Sequence, residues 1–187
     1  MVSTSDIPWR EGGAYGAVAY VGGLVITMTV FYLDHLGTTL DWGQDATLGE
    51  SLVLMTTIFY NAHFVASELG ATIMDPCVGV RCLSLFNEQD ILFGPIYYVI
   101  PPLFLLLMGA LVVYATDVTG RARSAIAGAS VVIGYFALAI AVVLALRFGV
   151  GFELDIVATI AAGLGYPVVF GAVGGLVANE VVSFQDN

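Results

Sequence analysis

The string Phe59-Tyr60-Asn61-Ala62-His63-Phe64-Val65, with Glu68 just beyond it, is where this chain brings ionisable and hydrogen-bonding side chains into an otherwise apolar stretch. Imidazole is the one side chain that ordinarily changes charge near neutrality. Ionisable groups inside apolar segments usually face a bundle interior or a water-filled cavity. His63 and Glu68 are therefore candidates for contact with a proton or a small ligand, with Tyr60 and Asn61 beside them. On a helix, Thr57, Asn61 and Glu68 share one side, and Thr56, Tyr60, His63 and Ser67 share an adjoining side. A polar half-face of this kind also serves a re-entrant turn or an interfacial helix that only satisfies its own backbone.

Other chemistry finds little support. No HExxH string occurs, no lysine is present to complete a phosphate-cradling loop, and no Ser or Cys nucleophile has a plausible His base, so the chain is read as non-enzymatic. Cys77 and Cys82 can close a small disulfide in an oxidising compartment or stay as free thiols. No further His or Cys stands near them to complete a metal site. A haem held by His35 and His63 would need the two at matched depth, which their placement does not give, so no metal and no cofactor is expected. Nucleic acid is excluded as a partner because no basic patch exists to neutralise phosphates.

The elements that must position these residues follow from composition. The chain is 59% hydrophobic, with fifteen acidic residues against five arginines and a formal charge of −10. Four runs hold no charge at all: Gly12 to Leu33, Ile91 to Thr116, Ser124 to Leu146 and Ile156 to Ala178. Each exceeds the roughly 20 residues that carry a helix across a hydrocarbon core of about 30 Å. Ser51 to Ser67 is shorter and is read as a short span, a re-entrant element or an interfacial segment. The runs lack the alternation of barrel strands, so the fold class is an all-α polytopic transmembrane helical bundle, a single membrane domain over residues 1–187. The first span exceeds a signal-peptide core and is expected to remain as an anchor.

Arginines set the expected orientation. Arg10 and the pair Arg121 and Arg123 are placed inside. The acidic connection Asp34 to Glu50 is placed outside, which four full spans satisfy with the N-terminus cytoplasmic in the cell membrane. Five full spans would instead put Arg81 and Arg147 inside. Gly12 and Gly16, like Gly171 and Gly175, stand four apart on one helical face, the spacing that lets backbones approach closely in lipid. That packing is either within one bundle or against another copy or another membrane protein. Pro101, Pro102 and Pro167 each remove a backbone donor, and helix breaks are expected there.

The string Phe59 to Val65, the Pro101-Pro102 pair, and Gly165-Tyr166-Pro167-Val168-Val169-Phe170-Gly171 together resemble a group of small haloarchaeal multi-pass membrane proteins that carry a domain-of-unknown-function label. The likeness spans most of the chain and implies a salt-loving archaeon, in keeping with the missing lysine. It implies no activity for any residue, and none of the strings that carry the likeness lies within Glu68 to Asp90. The sequence thus favours a structural or accessory subunit embedded in the lipid bilayer, packing in a homo-oligomer or a larger complex. The alternative is a small transporter or channel for a cation or proton, using Tyr60, Asn61, His63 and Glu68.

Overall fold

A computed structural model describes residues 7–34, 48–63, 67–68, 96–151 and 153–185. They form six helices: α1 (Trp9–Asp34), α2 (Leu48–Asn61), α3 (Ile96–Thr116), α4 (Arg121–Ala129), α5 (Val132–Val150) and α6 (Ile156–Gln185). Two-residue strands β1 (Ser67–Glu68) and β2 (Glu153–Leu154) pair antiparallel, and the architecture is otherwise all-helical. Four stretches are long and apolar enough to cross a membrane: Trp9–Leu33, Ile96–Thr116, Arg121–Gly149 and Ile156–Val182. They coincide with the four charge-free runs. The third begins earlier than expected, at Arg121, and is divided between α4 and α5 by a turn at Ser130–Val131.

Backbone approach through small residues holds the bundle together. A Cβ on Gly12 would stand 2.9 Å from the Ser130 carbonyl carbon, one on Gly16 would stand 2.8 Å from that of Val131, and one on Gly134 would stand 2.8 Å from that of Gly13. These are the contacts between α1 and the α4–α5 span. A second seam sets α6 against α3 and α4: a Cβ on Gly109 would reach the Gly171 Cα at 2.7 Å, and one on Gly175 would reach the Gly128 Cα at 3.2 Å. Without a hydrophobic difference between lipid tails and side chains, such close packing is what holds helices together in a membrane. Both glycine pairs that the sequence singles out therefore find their neighbours inside this chain.

The same contacts fix relative direction. Along α1, Gly12, Gly16 and Tyr20 meet Ser130, Val131 and Tyr135 in order, so α1 and α5 run parallel. The α1 C-terminus and the α5–α6 connection thus lie at one end of the bundle. Tyr97 at the start of α3 packs in a cluster with Met28, Val30 and Phe31 near the end of α1, so α3 also begins there. The α5–α6 connection is shaped by left-handed Gly151 (φ 70°), whose N–H bonds the Leu146 carbonyl, and by Asp155, whose carboxylate accepts from the Ala158 N–H at 3.0 Å.

The short segment forms α2, which packs against the second half of α1. Ile58 packs beside Met28 and Phe31, Phe59 meets Gly23, and Tyr60 meets Tyr20, so α2 descends along α1 from the end where α1 finishes. The chain turns at Ala62–His63, and β1 then pairs with β2 back at that end. At about 1.5 Å per residue its 14 residues reach only about 21 Å, short of a crossing. It is no surface helix either, since Val53, Thr56, Thr57, Ile58, Phe59 and Tyr60 are all buried.

Two expectations need correction. Pro101 and Pro102 lie inside α3 and Pro167 inside α6, and neither helix is interrupted there. Each proline removes one helical donor, at the sixth and seventh residues of α3 and the twelfth of α6, and the helix runs on past it in both cases. The interruption falls instead in the small-residue stretch around Ser130. Glu68 and Ser67 also do not continue the face of α2, because the helix ends at Asn61. Cys77, Cys82, His35 and the Asp34 to Glu50 acids other than those in α1 and α2 lie outside the described residues.

Candidate functional site

Descent of α2 into the bundle places His63 against α5, which it meets 72 residues further along the chain. The His63 backbone N–H bonds back to the Tyr60 carbonyl rather than to Phe59, leaving the Phe59 carbonyl without its helical partner. The His63 side chain takes that place: Nδ1 lies 2.7 Å from the Phe59 oxygen. A carbonyl only accepts, so Nδ1 carries a hydrogen. In the neutral ring Nε2 then offers a lone pair, which the Tyr135 hydroxyl meets at 2.5 Å as donor. His63 is thus both the side-chain cap of α2 and the bridge from α2 to α5.

A second chain of bonds runs beside the first. The Tyr60 hydroxyl donates to the Ala139 carbonyl at 2.6 Å. Its hydrogen is thereby used, so across the 3.1 Å contact between the hydroxyls of Tyr20 and Tyr60 it is Tyr20 that donates. The rings pack edge to face, with centroids 5.3 Å apart for Tyr20 and Tyr135 and 4.7 Å apart for Phe59 and His63. Tyr166 of α6 closes the other side of the imidazole at 5.1 Å. Tyr135 is the central residue of the span Arg121–Gly149, so the cluster sits midway along the bundle. Between these groups and Thr159 of α6 lies a cavity of about 10 Å³, room for about one water molecule.

Of the four residues marked by sequence, Tyr60 and His63 meet at this centre. Asn61 ends α2, is half-buried and does not line the cavity. Glu68 lies in β1, paired through its backbone with Glu153, and its side chain lies outside the described set. Sequence reasoning missed Tyr20, Tyr135 and Thr159. The available signal was that Tyr135 is the only tyrosine in the run Ser124 to Leu146, and that Thr159 and Tyr166 are the only hydroxyl-bearing residues in Ile156 to Ala178. Among the described residues, no three His, Cys, Asp or Glu side chains gather to hold a metal ion.

Chemically, the centre holds one imidazole, its hydroxyl partner and a confined gap. The negative end of the α2 dipole points at the same place, a setting that favours a positive charge over a negative one. No curated protein and no solved structure matches the chain significantly. A family model matches residues 2–182, nearly the full length, and the chain belongs to that family, DUF7978, a family of unknown function.

Proposed function

We propose that the protein is a non-enzymatic membrane transporter or channel for a proton or small cation, with the α2 hairpin as its selective element. One observation carries this reading: a half-length helix enters the bundle and ends at its centre on His63, held between the Phe59 carbonyl and the Tyr135 hydroxyl. Half-helices whose C-terminal carbonyls point at mid-membrane are how several transporter folds meet cations. The outward faces suit a lipid bilayer, since Val18, Val21, Val25, Leu103, Leu107, Val157, Val169 and Val177 are all exposed. Arg10 at the α1 start lies at the same end as Arg121 and Arg123, and Arg147 lies at the other. That bias supports a cytoplasmic N-terminus. The lysine-free, acid-rich composition supports a high-salt, haloarchaeal setting.

The accessory-subunit reading drew on the glycine faces. The Gly12, Gly16, Gly171 and Gly175 contacts are made within the chain and call for no partner, so that reading rests on the abundance of small residues elsewhere and the scarcity of strongly polar spans. The test is cation or proton flux into vesicles containing the purified protein. Wild type should dissipate a pH or cation gradient, and His63→Gln, which keeps a donor and an acceptor but cannot titrate, should lose the pH dependence of that flux. Flux indistinguishable from protein-free vesicles, or unchanged in His63→Gln, would count against transport through this site.

A further inference from the structure

Among the described residues, four aromatic side chains stand exposed on the outside of the bundle: Trp9 at 46%, Tyr32 at 68%, Tyr114 at 70% and Phe148 at 82%. All four lie at helix ends. Trp9 is the first residue of α1, while Tyr32, Tyr114 and Phe148 each stand third from the end of α1, α3 and α5. Given the directions of those helices, Trp9 and Tyr114 share one end of the bundle, and Tyr32 and Phe148 share the other. Along the spans between those ends every exposed large side chain is aliphatic, as at Val18, Val21, Val25, Leu103 and Leu107. Charge is sorted in the same way: Arg10 and Glu11 adjoin Trp9, Asp117, Arg121 and Arg123 follow Tyr114, and Arg147 adjoins Phe148.

We propose that these four side chains mark the two headgroup layers of a lipid bilayer, and that acyl chains, not a second protein, cover the aliphatic band between them. Indole and phenol rings collect at headgroup level because one part is apolar and another bonds water, and the charged tips of neighbouring arginines reach the same layer. Phe148 has no polar tip, and Arg147 beside it supplies one. A protein partner would select the opposite pattern, since docking surfaces gather their large aromatic anchors at the centre of the patch. The spacing suits a membrane: Tyr32 follows Trp9 by 23 residues, about 35 Å of helix, against a hydrocarbon core of about 30 Å. It also assigns a depth to the polar centre. Tyr20, bonded to Tyr60 and packed edge to face on Tyr135, comes 11 residues after Trp9 and 12 before Tyr32, so His63 and its partners lie at the bilayer midplane, about 17 Å from either headgroup layer. This placement is independent of what the centre carries.

The test uses the full-length protein in phosphatidylcholine vesicles whose acyl chains carry bromine either near the headgroup or near the chain end, since bromine quenches tryptophan on contact. Trp42→Phe leaves Trp9 as the one tryptophan. With Trp9→Phe added, the substitutions Tyr32→Trp, Val21→Trp and Leu103→Trp each report one further position. Trp9 and the Tyr32→Trp protein should lose most of their fluorescence to bromine near the headgroup and little to bromine near the chain end. The Val21→Trp and Leu103→Trp proteins should do the reverse. Quenching of Trp9 or of the Tyr32→Trp protein chiefly by chain-end bromine would overturn the assigned depth. Absence of quenching by either lipid in the Val21→Trp or Leu103→Trp protein would overturn the acyl-chain contact and show a protein, such as a second copy, on that face. Val21 and Leu103 are exposed on different helices, so either variant alone decides the band, and Tyr114→Trp replaces Tyr32→Trp if the latter does not fold.

Discussion

The seams of the bundle and its centre are built on opposite principles. Where α1 crosses the α4–α5 span and where α6 lies against α3 and α4, backbones touch with no side chain between them. At the centre, aromatic side chains fill the space and hydroxyls join α1, α2 and α5. The seam tolerates no added atom, whereas the centre depends on a few polar atoms and leaves room for one more. The seam therefore answers to volume and the centre to hydrogen-bond count.

The largest effect should come from adding volume to a seam. A Cβ on Gly171 would meet the Gly128 carbonyl oxygen at 2.5 Å and the Val131 Cγ2 at 2.8 Å, and the first of these is backbone that cannot rotate away. Gly171→Leu should cost about 3 kcal/mol or more, seen as loss of a monodisperse peak in size-exclusion chromatography or a large drop in Tm. Gly165 supplies the contrast six residues away on the same helix: a Cβ there meets nothing within 4 Å. Gly165→Leu should leave Tm unchanged or raise it slightly through helix propensity. Equal losses in the two variants would erase the distinction between seam and exposed glycine.

Next in size is loss of the polar bridge. His63→Leu preserves bulk yet leaves both the Phe59 carbonyl and the Tyr135 hydroxyl buried without a partner. Each such group costs about 1–3 kcal/mol, so a fall in stability of about 2–4 kcal/mol is expected in chemical or thermal unfolding. His63→Gln should recover part of it. A stable His63→Leu protein would mean that packing, not hydrogen bonding, organises the centre.

These two regions were not equally legible in the sequence. The spans and the packing glycines were, because absence of charge over a long run and small residues four apart are local signals with a physical reading at bilayer scale. The turn at Ser130–Val131 was not, since no proline marks it and what stands beside it is a tertiary contact, Gly12 of α1 against Ser130. Pro101 and Pro102, which carry the strongest local breaking signal, end nothing. His63 and Tyr60 stood out because they interrupt an apolar string. Their partners did not, because a tyrosine alone in a long span looks the same whether it is exposed on the outside of the bundle, as Tyr114 is, or faces a histidine, as Tyr135 does.

Within the centre, Tyr60 and Tyr20 rank by how many bonds pass through each hydroxyl. Tyr60→Phe removes the donor to the Ala139 carbonyl and the acceptor of the Tyr20 hydroxyl, and should cost about 1–2 kcal/mol. Tyr20→Phe removes one donor and leaves Tyr60 bonded to Ala139, so about 0.5–1 kcal/mol is expected. Unfolding midpoints of the two variants and the double variant test the order. Because the two share a bond, the double should cost less than the sum of the singles.

The smallest effect, that of an exposed charge, belongs to the far end of the bundle, where α4 meets the end of α6, and there too hydrogen-bond count should outrank charge. Arg121 and Glu180 form an ion pair at 2.8 Å, but their side chains are 77% and 45% exposed, so water and salt screen most of the attraction. Asn179 beside them carries no charge, yet its Oδ1 accepts the Gly120 N–H at 2.9 Å and shares the single Ser124 hydroxyl hydrogen, at 3.3 Å, with the Val118 carbonyl at 3.2 Å. It thereby ties the turn before α4 to α6. Arg121→Gln should leave Tm unchanged at any ionic strength, while Asn179→Ala should lower it by a few degrees, corresponding to about 1 kcal/mol. The reverse order, with a salt-dependent loss in Arg121→Gln, would show that this end is held by charge and that hydrogen-bond count governs only the buried centre.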